Sequence, residues 1–248
     1  MMNVRNIRFS GPMVRALLDG RKTQTRRVLT IPRDYSHAVV SRRGSDGPRY
    51  VQLTPSSDYV SARQAPRTCA TGDLLWVREA WRTPESLDHL SPKQIEARCK
   101  ELGYHGPWCP RVTEADNHAH QWLGGDGFRE GEPVGRFRAS MHMPRWASRI
   151  TLNVTDVRVQ RLQEISEADA KAEGIRPLPM QSETDSSAWW ESDYGENQAR
   201  TPVASFRKLW NSLNDKRDNG WDTNPLVIAV SFEVIKANVD TVLSEVAA

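Results

Sequence analysis

Apolar residues recur along this chain with two different periods, and those periods predict most of its regular elements. "IRFS" (Ile7 to Ser10) reads as a first strand. In "GPMVRALLDG", Met13, Val14, Leu17 and Leu18 fall at helical spacing between an opening Gly-Pro and a closing Gly20, predicting a short helix. "GDLLWVREAW" (Gly72 to Trp81) predicts a turn and then a buried strand. "ITLNVTDVRVQRL" alternates apolar and polar side chains with period two and is the strongest strand signal. "SEADAKAEGI" places Ser166 three residues before Asp169, a variant of the capping box, and closes on Gly174, predicting a helix of about two turns. "VASFRKLWNSLND" (Val203 to Asp215) sets Phe206, Leu209, Trp210 and Leu213 on one face of an amphipathic helix. "NPLVIAVSFEVI" predicts a closing strand buried along most of its length.

Three polar stretches of weak periodicity interrupt this pattern: residues 32–70, 83–134 and 176–201. The first, rich in Arg, Ser, Pro and Gly, reads as a long loop or hairpin insertion. The second carries a short helix near Pro92 to Leu102 among Gly-rich turns, and the third holds the pair Trp189–Trp190. No internal repeat is visible. Short strands with few helices argue for an α+β chain, a small mixed β-barrel with short helices and expanded loops. We expect one domain over residues 1–236 and a polar, partly helical tail over 237–248.

Length and composition narrow the class. The 248 residues are 38% hydrophobic and 26% charged, as in a globular protein with a modest core. The longest apolar runs are too short to cross a bilayer, and "MMNVRNIRFSGP" has no signal-peptide core. The cysteines Cys69, Cys99 and Cys109 are odd in number and form no paired framework, so a cytoplasmic protein without a membrane partner is expected. Net charge is +3, but residues 1–70 hold 13 Lys and Arg against 4 Asp and Glu. Such a basic third suggests either a polyanionic partner, of which nucleic acid is the commonest, or a solvated basic face.

The motifs exclude several chemistries. His118 and His120 with Cys99 and Cys109 match no zinc-ligand spacing, so no metal is expected. Neither a nucleophile-elbow Gly-x-Ser-x-Gly, nor a phosphate-cradling Gly-x4-Gly-Lys, nor a dinucleotide fingerprint occurs, so no cofactor is expected either. Nine tryptophans offer aromatic faces. Those near strand ends or in loops, Trp81, Trp146, Trp189, Trp190, Trp210 and Trp221, are candidates for stacking bases, although core packing explains Trp76 and Trp210 better. "MHMPRWASR", with His142, Arg145 and Trp146, reads either as pocket lining for a base or as a packed strand corner.

The remaining stretch, "GRKTQTRR", begins where the first helix stops and crowds Arg21, Arg26 and Arg27 around Lys22 and Thr25. A lysine acts as a general base once burial or nearby cations lower its pKa by several units. A threonine hydroxyl becomes nucleophilic when an adjacent base takes its proton. Lys22 and Thr25 are three apart, so a turn or bent strand lets them face one another; a carboxyl proton donor would complete the set.

These stretches together, "GRKTQTRR" after a short helix, "GDLLWVRE", the long alternating strand, "SEADAKAEGI" and a closing "VSFEVI", resemble the ASCH domain family. With "SMHMPRWASRI" and "FRKLWNSLN", the chain is similar to the longer phage and prophage members. The resemblance implies a PUA-like fold, a small β-barrel related to RNA-binding domains. Small bacterial members are amidohydrolases that release the acetyl group of N4-acetylcytidine with a lysine, a threonine and a glutamate, the first two in a Gly-x-Lys-x-x-Thr pattern. Gly20, Lys22 and Thr25 match that pattern, and Glu173 corresponds to the glutamate, with Glu164, Glu167 and Asp169 within a small register shift and Glu79 a further candidate acid. The implied catalytic set is Lys22, Thr25 and Glu173. Arg21, Arg26, Arg27, Glu79, His142, Arg145 and Trp146 are the implied substrate- or nucleic-acid-binding residues, with Arg26 or a backbone N–H at the oxyanion. The expected ligand is a nucleoside or a nucleic acid, RNA before DNA. The alternative is a non-catalytic RNA- or DNA-binding module of phage origin.

Overall fold

Ser10, two residues past the first strand, precedes the helix in an extended conformation, and Pro12 sits in the first helical turn, where its missing N–H leaves no bond unmade. That is why a helix starts there. The structure, a computed structural model, describes residues 3–29, 35–42, 49–55, 63–64, 69–103, 109–120, 132–178, 189–192 and 197–246. In chain order its first elements are β1 (Val4–Arg8), α1 (Gly11–Leu18), β2 (Gln24–Val28), β3 (Tyr35–Arg42), β4 (Arg49–Pro55) and β5 (Arg63–Gln64). Then come β6 (Leu74–Arg78), β7 (Trp81–Arg82), α2 (Pro92–Glu101), β8 (Arg111–Thr113), β9 (His118–His120) and β10 (Thr151–Arg161). The last are α3 (Glu167–Ala172), β11 (Arg176–Pro177), β12 (Trp190–Glu191), α4 (Pro202–Asn214), β13 (Leu226–Ile235) and α5 (Val239–Val246).

The protein is α+β. Five strands hydrogen-bond in the order β1-β6-β10-β13-β2, and this sheet is not closed into a barrel. Smaller sheets are β3-β4-β5, β7-β8-β9 and β11-β12. Contacts divide the chain into two compact units, the first Met1–Gly20, Gly72–Asn153 and Glu233–Ala248, the second Arg21–Thr71 and Val154–Phe232.

In the first unit β1 runs parallel to β6, pairing Val4 with Leu74 through Arg8 with Arg78, and the start of β10 runs antiparallel to β6. Its core holds Trp81, Ile95, Cys99, Cys109, Met143 and Trp146, with the Trp81 and Trp146 rings edge to face at 5.6 Å. Ser91 and Gln94 cap α2 reciprocally, and α2 buries Ile95 and Cys99 one turn apart. The stretch expected as a polar, partly helical tail holds the helix α5. Val239 and Val242, one turn apart, bury themselves against Leu74 and Trp76. Asn238 fastens the entry to that helix. Its amide Nδ2 donates to the carbonyls of Arg145 (2.9 Å), Trp146 (3.3 Å) and Ser148 (2.7 Å), and its Oδ1 accepts from the Asp240 N–H at 2.9 Å.

The second unit packs α3 and α4 over β2 and the adjoining parts of β10 and β13, with Leu162, Ile165, Phe206, Trp210, Trp221 and Val227 in its core. The alternating strand and the capped helix form where the sequence predicts them, Ser166 and Asp169 capping α3 reciprocally. Thr201 rather than Val203 starts α4, its hydroxyl accepting from the Ala204 N–H. Within the expected insertions, the described residues include the hairpin β3–β4 with β5, the elements α2, β8 and β9, and the short pair β11–β12.

Asn238→Ala should lower stability by about 1–3 kcal/mol, because it removes the Asn238 donor from the carbonyls of Trp146 and Ser148, while that of Arg145 keeps the Ser148 N–H. The urea-unfolding midpoint of the variant against the parent measures this.

Candidate functional site

The chain entering β2 is pinned to the end of α3 by its backbone. Thr23 N–H donates to Ala172 C=O at 2.8 Å, Thr23 C=O accepts from Phe232 N–H at 2.9 Å, and Lys22 pairs with Glu173 in an isolated antiparallel bridge. Helix α3 can end there because Gly174 adopts φ +104°, a conformation that side chains with a Cβ rarely adopt. Arg21 Nη1 donates to the Gly174 carbonyl at 2.8 Å and secures the same turn. Strand β2 then pairs with β13 from Gln24 opposite Ser231 to Val28 opposite Val227, without a register shift.

This scaffold puts Lys22 and Glu173 together in the interior, at 0% and 6% exposure. The Lys22 amine donates to Glu173 Oε2 at 2.6 Å and to the Glu173 carbonyl at 2.9 Å. The other carboxylate oxygen, Oε1, accepts from Arg26 Nη1 at 3.1 Å, so one carboxylate serves two buried cations. Arg26 Nη1 also donates to Gln24 Oε1 at 2.5 Å, and Arg26 Nη2 lies 3.2 Å from Asp169 Oδ2. Asp169 in turn accepts from Arg158 Nη2 at 2.9 Å. Burial pushes the Lys22 amine below its ordinary range; the Glu173 carboxylate opposes that shift, and Arg27 and Arg26 add to it. Partial burial raises the Asp169 carboxyl, but hydrogen bonds from Arg158 and Ser166 and the charge of Arg26 outweigh it and hold the group at about 2.

Thr25 is also buried, at 1% exposure, but it has a different partner. Among the described residues its Oγ1 is hydrogen-bonded by Arg27 Nη1, at 3.0 Å, and not by Lys22. The cause is strand parity. Successive side chains of a strand point to opposite faces, which pairs Gln24 with Arg26 and Thr25 with Arg27. The expectation that Lys22 and Thr25 face one another is therefore corrected: β2 is regular where a turn or bend was needed. Arg26 likewise differs from an oxyanion donor at a pocket mouth, since its guanidinium is fully enclosed.

Glu79, His142, Arg145 and Trp146 lie in the first unit. Glu79 is buried and gripped by Arg149, whose Nε and Nη2 donate to its two oxygens at 2.8 and 3.0 Å while Nη1 reaches Asp116 at 2.8 Å. Burial raises the Glu79 carboxyl, and the Arg149 contacts pull against that. His142 is exposed in a short helical turn, and Arg145 pairs with Asp240 at 2.5 Å. Trp146 is a core residue rather than a stacking platform, and Trp81, Trp210 and Trp221 are buried as well. Trp189 and Trp190 are half-buried beneath Arg200 and Lys171, at 4.0 and 4.8 Å from the ring centres. Among the described residues no group of His, Cys, Asp and Glu is placed to hold a metal ion. Sequence reasoning missed Gln24 and Arg158 in the cluster and weighed Asp169 only as a substitute for Glu173. The signal was there, in the Lys22-Gln24-Arg26 alternation and in the one-turn spacing of Asp169 and Glu173.

Glu173→Ala should destabilise the protein by about 3–5 kcal/mol, because it strands two buried cations, whereas Glu173→Gln, which keeps an acceptor in place, should be milder. Urea denaturation separates the two. Asp169 adds a pH signature. Its carboxyl is held near 2 against an ordinary 3.8, so its contribution is present above pH 3.8 and is lost as pH falls towards 2. Asp169→Asn should flatten the stability–pH curve across that interval. No known family model matches the chain, and no curated protein or solved structure matches it significantly.

Proposed function

We propose that this chain is an ASCH-like protein of PUA-like fold, acting in the cytoplasm. On this reading its Lys22–Glu173 site hydrolyses the amide linking an acyl group to the exocyclic amine of a cytidine-like nucleoside. One observation carries the reading: a lysine with lowered proton affinity, 2.6 Å from a carboxylate, inside the Gly-x-Lys-x-x-Thr turn. Such a pair can take up and return a proton below the ordinary lysine range.

The chemistry divides the labour as follows. The Thr25 hydroxyl, polarised by Arg27, attacks the amide carbonyl; its Oγ–C bond forms as its proton passes to the Lys22 amine. The C–N bond breaks, the amine departs with the proton from Lys22, and water cleaves the resulting ester to regenerate threonine. For the first step the Lys22–Thr25 stretch must rearrange when substrate enters, because the regular strand holds the hydroxyl on Arg27, on the face opposite Lys22. Both oxygens of Glu173 already accept from cations, so its part is to hold the lysine rather than to donate a proton. Arg27 then stands beside the developing negative charge.

A second reading draws on the burial of the same cluster. Lys22, Arg26 and Glu173 fasten β2 to α3, as a structural ion pair would, in a barrel-like module that binds RNA or DNA without turnover. Binding through several phosphates weakens steeply with salt, whereas hydrolysis of a free nucleoside does not.

Purified protein should release cytidine from N4-acetylcytidine, read by chromatography, and Thr25→Ala and Lys22→Ala should abolish release while retaining the fold by circular dichroism. Rates should rise with pH to a plateau whose midpoint lies below 10.5, since the free amine is the active form and its affinity for the proton is lowered. Undiminished turnover by Thr25→Ala would eliminate the threonine nucleophile. No turnover, with salt-sensitive retention of labelled RNA, favours the second reading.

A further inference from the structure

Arg26 is enclosed and held on several sides, yet its neighbours do not need an arginine for packing alone. Its side chain has no exposure. One nitrogen, Nη1, bridges Gln24 Oε1 and Glu173 Oε1 at 2.5 and 3.1 Å, while Nη2 faces Asp169 Oδ2 at 3.2 Å. The guanidinium also lies 5.9 Å from the ring centre of Phe206 on α4. This cation touches the carboxylate that holds Lys22.

We propose that Arg26 is a positioning residue for the lysine: by occupying one oxygen of Glu173 and opposing a positive charge to Lys22, it limits the carboxylate's grip and leaves the amine free to exchange its proton. This rests on the reading of Lys22 as the site's proton carrier. A lone Glu173 would clamp the ammonium form, because an opposite charge at hydrogen-bond distance favours the charged state. Arg26 divides that attraction, and Asp169 sets how strongly Arg26 can do so. Among the described residues, several elements bring charge to Lys22. Strand β2 brings Arg26 and Arg27, α3 brings Glu173 and Asp169, and β10 brings Arg158 through Asp169. The facing part of β13, Leu226 to Phe232, carries no charge, and α4 presents Phe206. Burial lowers the amine's proton affinity, and the two arginines add to that shift.

Two substitutions with opposite expected signs test the proposal. Arg26→Gln removes the opposing charge but keeps a hydrogen-bonding group, so Lys22 should titrate at higher pH. Asp169→Asn keeps the cap of α3 but frees Arg26 from its counter-charge, so Lys22 should titrate at lower pH. The readout is the Lys22 amine followed directly by NMR of lysine-labelled full-length protein, with Lys22→Ala assigning the signal. Beside it runs the pH–rate profile on N4-acetylcytidine, where each pH unit of displacement changes the active fraction about tenfold on the acid limb, downward for Arg26→Gln and upward for Asp169→Asn. Displacements of opposite sign, with the plateau rate largely kept, establish the positioning role. A Lys22 titration unmoved in Asp169→Asn, which should fold even if Arg26→Gln does not, overturns it. A raised KM with an unmoved profile overturns it too and makes Arg26 a substrate contact. If the parent shows no turnover, the NMR titration still decides the inference, and only the proposed reaction fails.

Discussion

A single carboxylate, that of Glu173, is shared between two buried cations that enter from the same strand. Lys22 takes one oxygen and Arg26 the other, and the main chain of Lys22 pairs with that of Glu173. Much of the second unit follows from this arrangement. The start of β2 must lie against the end of α3, α3 must stop at Gly174, and Phe206 of α4 closes over the guanidinium. Two charges removed from water are tolerable only when every partner is in place. The cluster therefore fixes geometry more than it adds stability, and it carries its chemistry in the same contacts.

The first unit handles a buried acid in a related way with a different result. Glu79 is met by a bidentate Arg149, which Asp116 holds from the other side. There a planar fork meets a planar carboxylate, and the pair is self-contained. Around Glu173 one partner is an amine, a compact charge that can lose its proton, whereas a guanidinium holds its proton throughout the working range. On the proposed reading, the difference between a fastening and a site of proton exchange rests on that choice of cation.

Much of this was legible in the sequence. The period-two run of β10, the Ser166 and Asp169 cap and the amphipathic face of α4 were written in side-chain spacing, and Gly20, Lys22 and Thr25 stood out as a pattern. Three features were not legible. The parity of β2 separates Thr25 from Lys22, and it depends on where the strand starts, a boundary no local signal marked. The choice of Glu173 over Glu164, Glu167 or Asp169 depends on a backbone bridge between residues 151 positions apart. The tryptophans near strand ends could face either way, and only the packing of Trp81 on Trp146 and of Phe206 on Trp221 decides for the interior.

The interleaving of the two units has a consequence for how the chain is made. The first unit is assembled from three separate stretches, and Leu74 and Trp76 pack with Val239 and Val242 from the last of them. The second unit likewise waits for β13 to pair with β2, across some two hundred positions of chain. On a ribosome, the core around Trp81 and Trp146 can close from residues 81–147, whereas the sheet of the second unit waits for β13. Contacts of such long sequence separation slow the search, because loop closure must precede the contacts that reward it. The nascent chain would therefore present the apolar strands β6 and β10 while its closing strand is still being synthesised, and would depend on chaperones at that stage rather than after release.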